Sequence, residues 1–142
     1  MTPIEIVKEY LDECVVYSLA TEADGLPHVR PFGAQMIAED GKLYFITAND
    51  KEVYRQMKAN PRVEICAVKP DGLNWMRLQG TVEFHEGDDA EALQARMLEA
   101  KPPLKHMYSV GDGLMTMFAL VDCTASFAIL KTPHPKQDVL HF

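Results

Sequence analysis

The sequence predicts a mainly β protein, an antiparallel barrel with helices packed on it. Three observations carry that expectation. Six or more strand-like runs follow one another through tight turns, several marked by Asp-Gly. Helical periodicity appears between only some of these runs. Most connections are too short for the crossovers that parallel strands require. Closing such a sheet on itself removes its exposed edges.

Taken in order, residues 2–13 read as a helix. Thr2 can cap it, Pro3 suits the first helical position, and Ile4, Val7, Leu11 and Cys14 repeat on one stripe. VVYSLAT (15–21) is rich in β-formers, and EADGLP turns at Asp24-Gly25. One strand is predicted from His28 to Ala38, followed by a turn at Asp40-Gly41. In the next strand Leu43, Phe45 and Thr47 alternate with Tyr44, Ile46 and Ala48. A helix over 51–59 places Val53 and Met57 on one face and stops before Pro61, because a residue preceding proline avoids helical geometry. RVEICAV (62–68) is a strand and KPDG a turn; NWMRLQGTVEFH (74–85) is a longer strand in which Gly80 marks a bulge or bend. The acidic run EGDDAEALQ (86–94) opens a helix over 88–101, with carboxylates placed to suit the helix dipole. Two strands, 115–122 and 126–131, then precede a polar tail.

Residues 1–142 read as one domain, long enough to bury a core. A hydrophobic fraction of 47% with 25% charged residues is that of a folded globular chain rather than a disordered one. The net charge of −7 argues against nucleic acid as a partner, since that needs clustered Lys and Arg. A small anion needs only two or three local cations, so it stays within reach. Cys14, Cys66 and Cys123 are far apart in apolar company and predict reduced, buried thiols in a cytoplasmic protein. The N-terminus is charged from Glu5 onward, unlike a signal peptide, and no apolar run approaches a membrane span.

The residues best suited to chemistry lie in PHVRPFG (27–33) and FITANDKEV (45–53). A strand arginine on the inward face of a barrel is costly unless it meets an anion. A hairpin from about 28 to 48 would bring Arg30 near Thr47 and Lys51. Guanidinium, ammonium, hydroxyl and a helix N-terminus together favour a phosphate. The alternative is that Arg30 pairs with a carboxylate and Lys51 is solvated.

The stretch PHVRPFGAQMIAEDGKLYFITANDKEVYRQMKANPRVEICAV resembles the flavin-binding core of the pyridoxamine 5′-phosphate oxidase-like family, the FMN-binding split barrels. The resemblance covers residues 15–86 well and the remainder loosely. Its specificity lies in the set: an arginine in the second strand, a strand-end threonine, a lysine four residues on, and Asn-Pro closing the helix. It implies a homodimer of six-stranded antiparallel split barrels with FMN in a groove between subunits. Carried over, Arg30 and Lys51 would grip the FMN phosphate and Thr47 would bond to it or to the ribityl chain. Pro31, Phe32 and Ile46 would lie along the ribityl or isoalloxazine. Trp75 falls where the partner subunit's strand approaches the flavin, or else serves as a core or interface aromatic. Two departures set this chain apart. Gln35 stands where pyridoxamine phosphate oxidases have a second lysine, and no arginine follows Arg96, where they carry an arginine-rich signature.

Other residues carry less. His28 reads as a strand-edge histidine, and His134 and His141 as solvated tail residues that could alternatively ligate haem or a metal. Met107, Met115 and Met117 fill core or interface gaps, or line a pocket for a planar organic molecule. No metal ligand set and no catalytic acid, base or nucleophile stands out. The resulting expectation is an FMN-dependent oxidoreductase acting on a small organic substrate. A non-catalytic flavin-binding or sensing module, or a haem-binding protein on the same barrel, is the alternative.

Overall fold

A computed structural model describes residues 1–142. Helix α1 (Pro3–Cys14) opens on a capping box, in which the Thr2 hydroxyl accepts from the Glu5 amide and Glu5 accepts from the Thr2 amide. Such a cap contributes about 1 kcal/mol. Burying Val7 and Leu11 completely contributes about 1.5–3 kcal/mol each, so packing rather than capping holds the helix down.

Strands β1 (Tyr17–Ala23) and β2 (Leu26–Phe32) form the predicted hairpin. Its turn residues have φ of 54° at Asp24 and 78° at Gly25, the left-handed pair that a two-residue hairpin turn demands. β3 (Gln35–Ile37), β4 (Leu43–Ala48), α2 (Glu52–Ala59), β5 (Arg62–Val68) and β6 (Asn74–His85) follow. Then come α3 (Ala90–Ala100), a 3₁₀ segment (Pro102–His106), β7 (Met115–Ile129) and β8 (Asp138–His141). No helix is long and apolar enough to cross a membrane.

All strand pairs are antiparallel, in the order β2-β1-β5-β6-β7-β4-β3, with β8 added on β7. The two ends of this path, β2 and β3, are consecutive in the chain. The sheet therefore curls until its ends are joined covalently at Gly33-Ala34 rather than by a ladder, which is the split of a split barrel.

One core of Leu19, Leu43, Phe45, Ile65, Met76, Leu78 and Phe118, among others, receives α1 and α2. Phe45 and Phe118 stack within it, their ring centroids 5.6 Å apart. A second core of Tyr44, Ile46, Met97, Leu98, Met115 and Met117 lies under α3. With a core on both sides, β4 is buried at all six positions, so its alternation divides residues between two interiors rather than between interior and solvent.

Four expectations need correction. The strand predicted over 28–38 is two strands, β2 and β3, because the chain turns from one end of the sheet to the other at Gly33-Ala34. Arg30 therefore faces Leu19 across the β1–β2 ladder, and no 28–48 hairpin forms. The two late strands are one, β7, which passes through a left-handed residue at Asp122 (φ 52°) instead of turning back. The tail is not wholly irregular, since β8 pairs Thr124 with His141 and Ala125 with Leu140. Of the three thiols only Cys123 is buried; Cys14 is half-buried, and Cys66 points outward from β5, whose alternation buries Ile65 and Ala67 instead.

Candidate functional site

A cavity of about 420 Å³ opens where β2, β4 and the start of α2 meet the 3₁₀ segment. That volume lies in the range of small-molecule sites, roughly 300–1,000 Å³. Arg30, Pro31, Phe32, Ile46, Thr47 and Lys51 all line it. The sequence places these six on two separate stretches. The fold joins them because β2 leads directly into the β3–β4 hairpin, which carries the end of β4 back alongside. Trp75 is not in the lining. It sits half-buried on β6, paired with Val68 and Ala128.

Arg30 is held by neutral oxygens alone. Its Nη1 donates to the Thr21 hydroxyl at 2.8 Å and the Leu19 carbonyl at 3.2 Å, and its Nη2 to Gln56 Oε1 at 2.5 Å. Thr21 in turn donates to Gln56 Oε1 at 2.6 Å, closing a three-residue network between β1, β2 and α2. No carboxylate neutralises the guanidinium, and partial burial lowers its pKa from the ordinary arginine value. The neutral oxygens satisfy N–H groups without balancing the charge, and an anion in the cavity would offset what remains of the cost of desolvating it.

Thr47 shows the complementary feature. It is 3% exposed, and its hydroxyl oxygen is the one buried side-chain polar atom with no hydrogen-bond partner. An orphan of this kind costs about 1–3 kcal/mol. Lys51 occupies the N-cap position of α2, makes no side-chain cap and forms no ion pair. The first amides of α2 thus lack a side-chain acceptor beside an exposed ammonium, an arrangement that favours an anion. Asp, Glu, His and Cys are all absent from the lining.

Of the far wall, sequence reasoning offered only Met107, as a pocket-lining alternative. Lys101, Pro103, Leu104, Met107 and Tyr108 come from the end of α3 and the 3₁₀ segment. For the other four, the local signal was Pro102-Pro103 between two lysines, which marks a helix stop without saying what the stop faces. Met107 is 64% exposed at the rim, whereas Met115 and Met117 fill the second core. Tyr108 is half-buried, and desolvation first, then Asp50 and Asp112, raise its phenol.

The remaining candidates lie elsewhere. Gln35 is buried, accepting from the Tyr17 hydroxyl and donating to Asp12, both at 2.6 Å. Neither Gln35 nor His28 reaches the cavity. His134 is exposed in the tail, and His141 Nδ1 contacts the Thr124 hydroxyl at 3.1 Å. No group of three His, Cys, Asp or Glu is arranged to hold a metal ion.

Fold and site together define a split barrel with a cationic, carboxylate-free cavity beside an uncapped helix. The chain belongs to the pyridoxamine 5′-phosphate oxidase family, whose model matches residues 4–112. It is similar to a NimC/NimA family protein from Clostridium acetobutylicum, with 36% identity and a TM-score of 0.87 over 97% of this chain and 91% of that one. Two more distant structures share the fold. A pyridoxamine 5′-phosphate oxidase-related, FMN-binding protein from Nostoc punctiforme has 16% identity and a TM-score of 0.68 over 100% and 97% of the two chains. A heme-binding protein from Mycobacterium smegmatis has 20% identity and a TM-score of 0.68 over 93% of this chain and 57% of that one. No curated protein matches the chain in sequence.

Proposed function

We propose that the cavity binds FMN and that the protein is an FMN-dependent oxidoreductase acting on a small organic substrate. The observation that carries this is the Thr47 hydroxyl, buried without a partner on the wall of a cavity that also holds two cations with no carboxylate of their own. A phosphate monoester supplies what each lacks: a counter-charge for Arg30, and accepting oxygens for Thr47, Lys51 and the first turn of α2. Pro31, Phe32 and Ile46 provide the apolar side against which a ring system packs. Gln56 and Thr21 hold the Arg30 guanidinium in place before any ligand enters, which lowers the ordering cost of binding. FMN would supply hydride or electron transfer, and the chain contributes anchoring, orientation and exclusion of water. Haem is less well served, since the lining contains no histidine to act as an axial ligand.

The reading includes a homodimer with the flavin groove at its seam. Trp75 lies outside this chain's own cavity and is assigned to the partner's. It lies at an apolar end of the sheet: Val68, Leu73, Ile129 and Leu130 are all at least 38% exposed, and the β5–β6–β7 register brings them to that end.

The test is the absorbance spectrum of the protein after FMN addition and desalting. Retention near one flavin per chain is expected. Arg30→Ala and Lys51→Ala should each weaken FMN by about 1.5–3 kcal/mol, roughly 10- to 150-fold, the worth of a hydrogen bond to a charged group. Unchanged affinity in both variants would remove the phosphate assignment.

A further inference from the structure

Half of the basic side chains in this acidic protein are neutralised. Of its 14 Lys and Arg, seven have a carboxylate within ion-pair distance: Lys8, Lys42, Arg55, Lys58, Lys69, Arg77 and Arg96. Three of the seven unpaired ones, Arg30, Lys51 and Lys101, line the same cavity, whose wall contains no Asp or Glu. In a chain of net charge −7 this concentrates positive charge at one place.

The phosphate reading accounts for two of the three. A phosphate monoester carries about −1.5 to −2 charges near neutral pH, which Arg30 and Lys51 balance. Lys101 is left over. It also comes from a different part of the chain, the junction of α3 with the 3₁₀ segment, where its amide bonds to the Met97 carbonyl and its carbonyl accepts from Leu104. A lysine ending a helix commonly only complements the helix dipole. Lys101 does more than that, because its half-buried side chain forms cavity wall beside Pro103, Leu104, Met107 and Tyr108.

We infer that Lys101 is the recognition site for an anionic substituent, a carboxylate, on an otherwise apolar organic substrate. This rests on the assignment of Arg30 and Lys51 to the cofactor phosphate. The class follows from the surroundings: one cation without a counter-ion, on a wall shared with Pro103, Leu104 and Met107, where the Tyr108 phenol is the other polar side chain. An aromatic or branched-chain acid satisfies both parts, its body against the apolar residues and its carboxylate on the ammonium. A neutral analogue of the same shape leaves the ammonium unpaired.

The test uses flavin-loaded protein and two probes of matched shape, benzoate and benzamide, titrated calorimetrically at constant ionic strength. Flavin content is read by absorbance on the same samples. Benzoate should bind the unaltered protein at least tenfold more tightly than benzamide. Lys101→Met should abolish that preference by weakening benzoate alone, with flavin per chain unchanged, and Lys101→Arg should retain it. Equal affinity for the two probes, or no benzoate binding, overturns the assignment of Lys101 while the flavin remains bound. Loss of flavin in Lys101→Met, to the extent seen in Lys51→Ala, overturns it by giving Lys101 to the cofactor. An unaltered protein that retains no flavin overturns the phosphate reading itself, and the absorbance measurement separates that case from the others.

Discussion

Thr47 states the conflict between stability and binding at the scale of one residue. Its hydroxyl is buried and unpaired, so the folded chain without ligand bears the desolvation of a polar group and gains nothing for it. Thr47→Val keeps the shape and removes the orphan. The variant should unfold at higher urea concentration, stabilised by about 1–3 kcal/mol in the absence of FMN. Its FMN affinity should fall by roughly tenfold, since a neutral hydrogen bond contributes about 1 kcal/mol and leaving a phosphate oxygen unpaired adds to the loss. A variant less stable than the parent without FMN would show that the hydroxyl has a partner in solution. These residues were legible in the sequence because the information is local: a threonine ending a strand and a lysine opening a helix four positions on. Lys101 and Tyr108 were not legible, since they meet Arg30 and Lys51 only through the tertiary fold and no sequence period links them.

At the scale of elements, turn chemistry and helix stops were readable, whereas strand breaks were not. Asp24-Gly25 and Asn60-Pro61 fix local dihedral angles, and the hairpin and the end of α2 appear where those dipeptides put them. The break at Gly33-Ala34 and the continuity of β7 through Asp122 depend on which strands pair, and β-branched composition does not encode pairing. Gly80 is the exception, a strand glycine whose role could be anticipated. The β6–β7 register shifts between Gln79 and Thr81, and a Cβ at position 80 would lie 2.6 Å from Leu120 Cγ and 3.0 Å from Cys123 Sγ. The Leu120 and Cys123 side chains occupy the space that a Cβ at position 80 would need. Gly80→Ala should therefore destabilise the fold by about 1–3 kcal/mol through overpacking. Gly80 lies outside the cavity, so flavin per folded chain should not change. A denaturation midpoint equal to the parent's would mean that Leu120 repacks freely.

At the scale of the molecule, the distribution of charge and apolar surface bears on assembly. A chain of net charge −7 repels its own copy, so self-association must draw on apolar contact. The surface offers such contact around Trp75. Val68 pairs with Trp75 and shares its face, Asn74 pairs with Ile129, and the Leu130 amide donates to the Leu73 carbonyl at 2.7 Å, so four exposed apolar residues gather at the end of the sheet that carries the half-buried indole. Grouped apolar exposure of this kind marks an interaction surface, and in a two-fold dimer each change is made twice across the interface. Leu130 is 58% exposed, which makes its replacement harmless to the isolated fold. Leu130→Asp adds one negative charge per chain to the proposed interface, which already works against repulsion. By sedimentation equilibrium the parent protein should have twice the mass of its chain, and Leu130→Asp the mass of one. Circular dichroism should be unchanged, and, on the proposed assignment of Trp75 to the partner's groove, flavin should be lost with the dimer. A dimeric, flavin-loaded Leu130→Asp would move the seam away from this edge. A monomer that keeps its flavin would instead show that Arg30, Thr47 and Lys51 suffice within one chain.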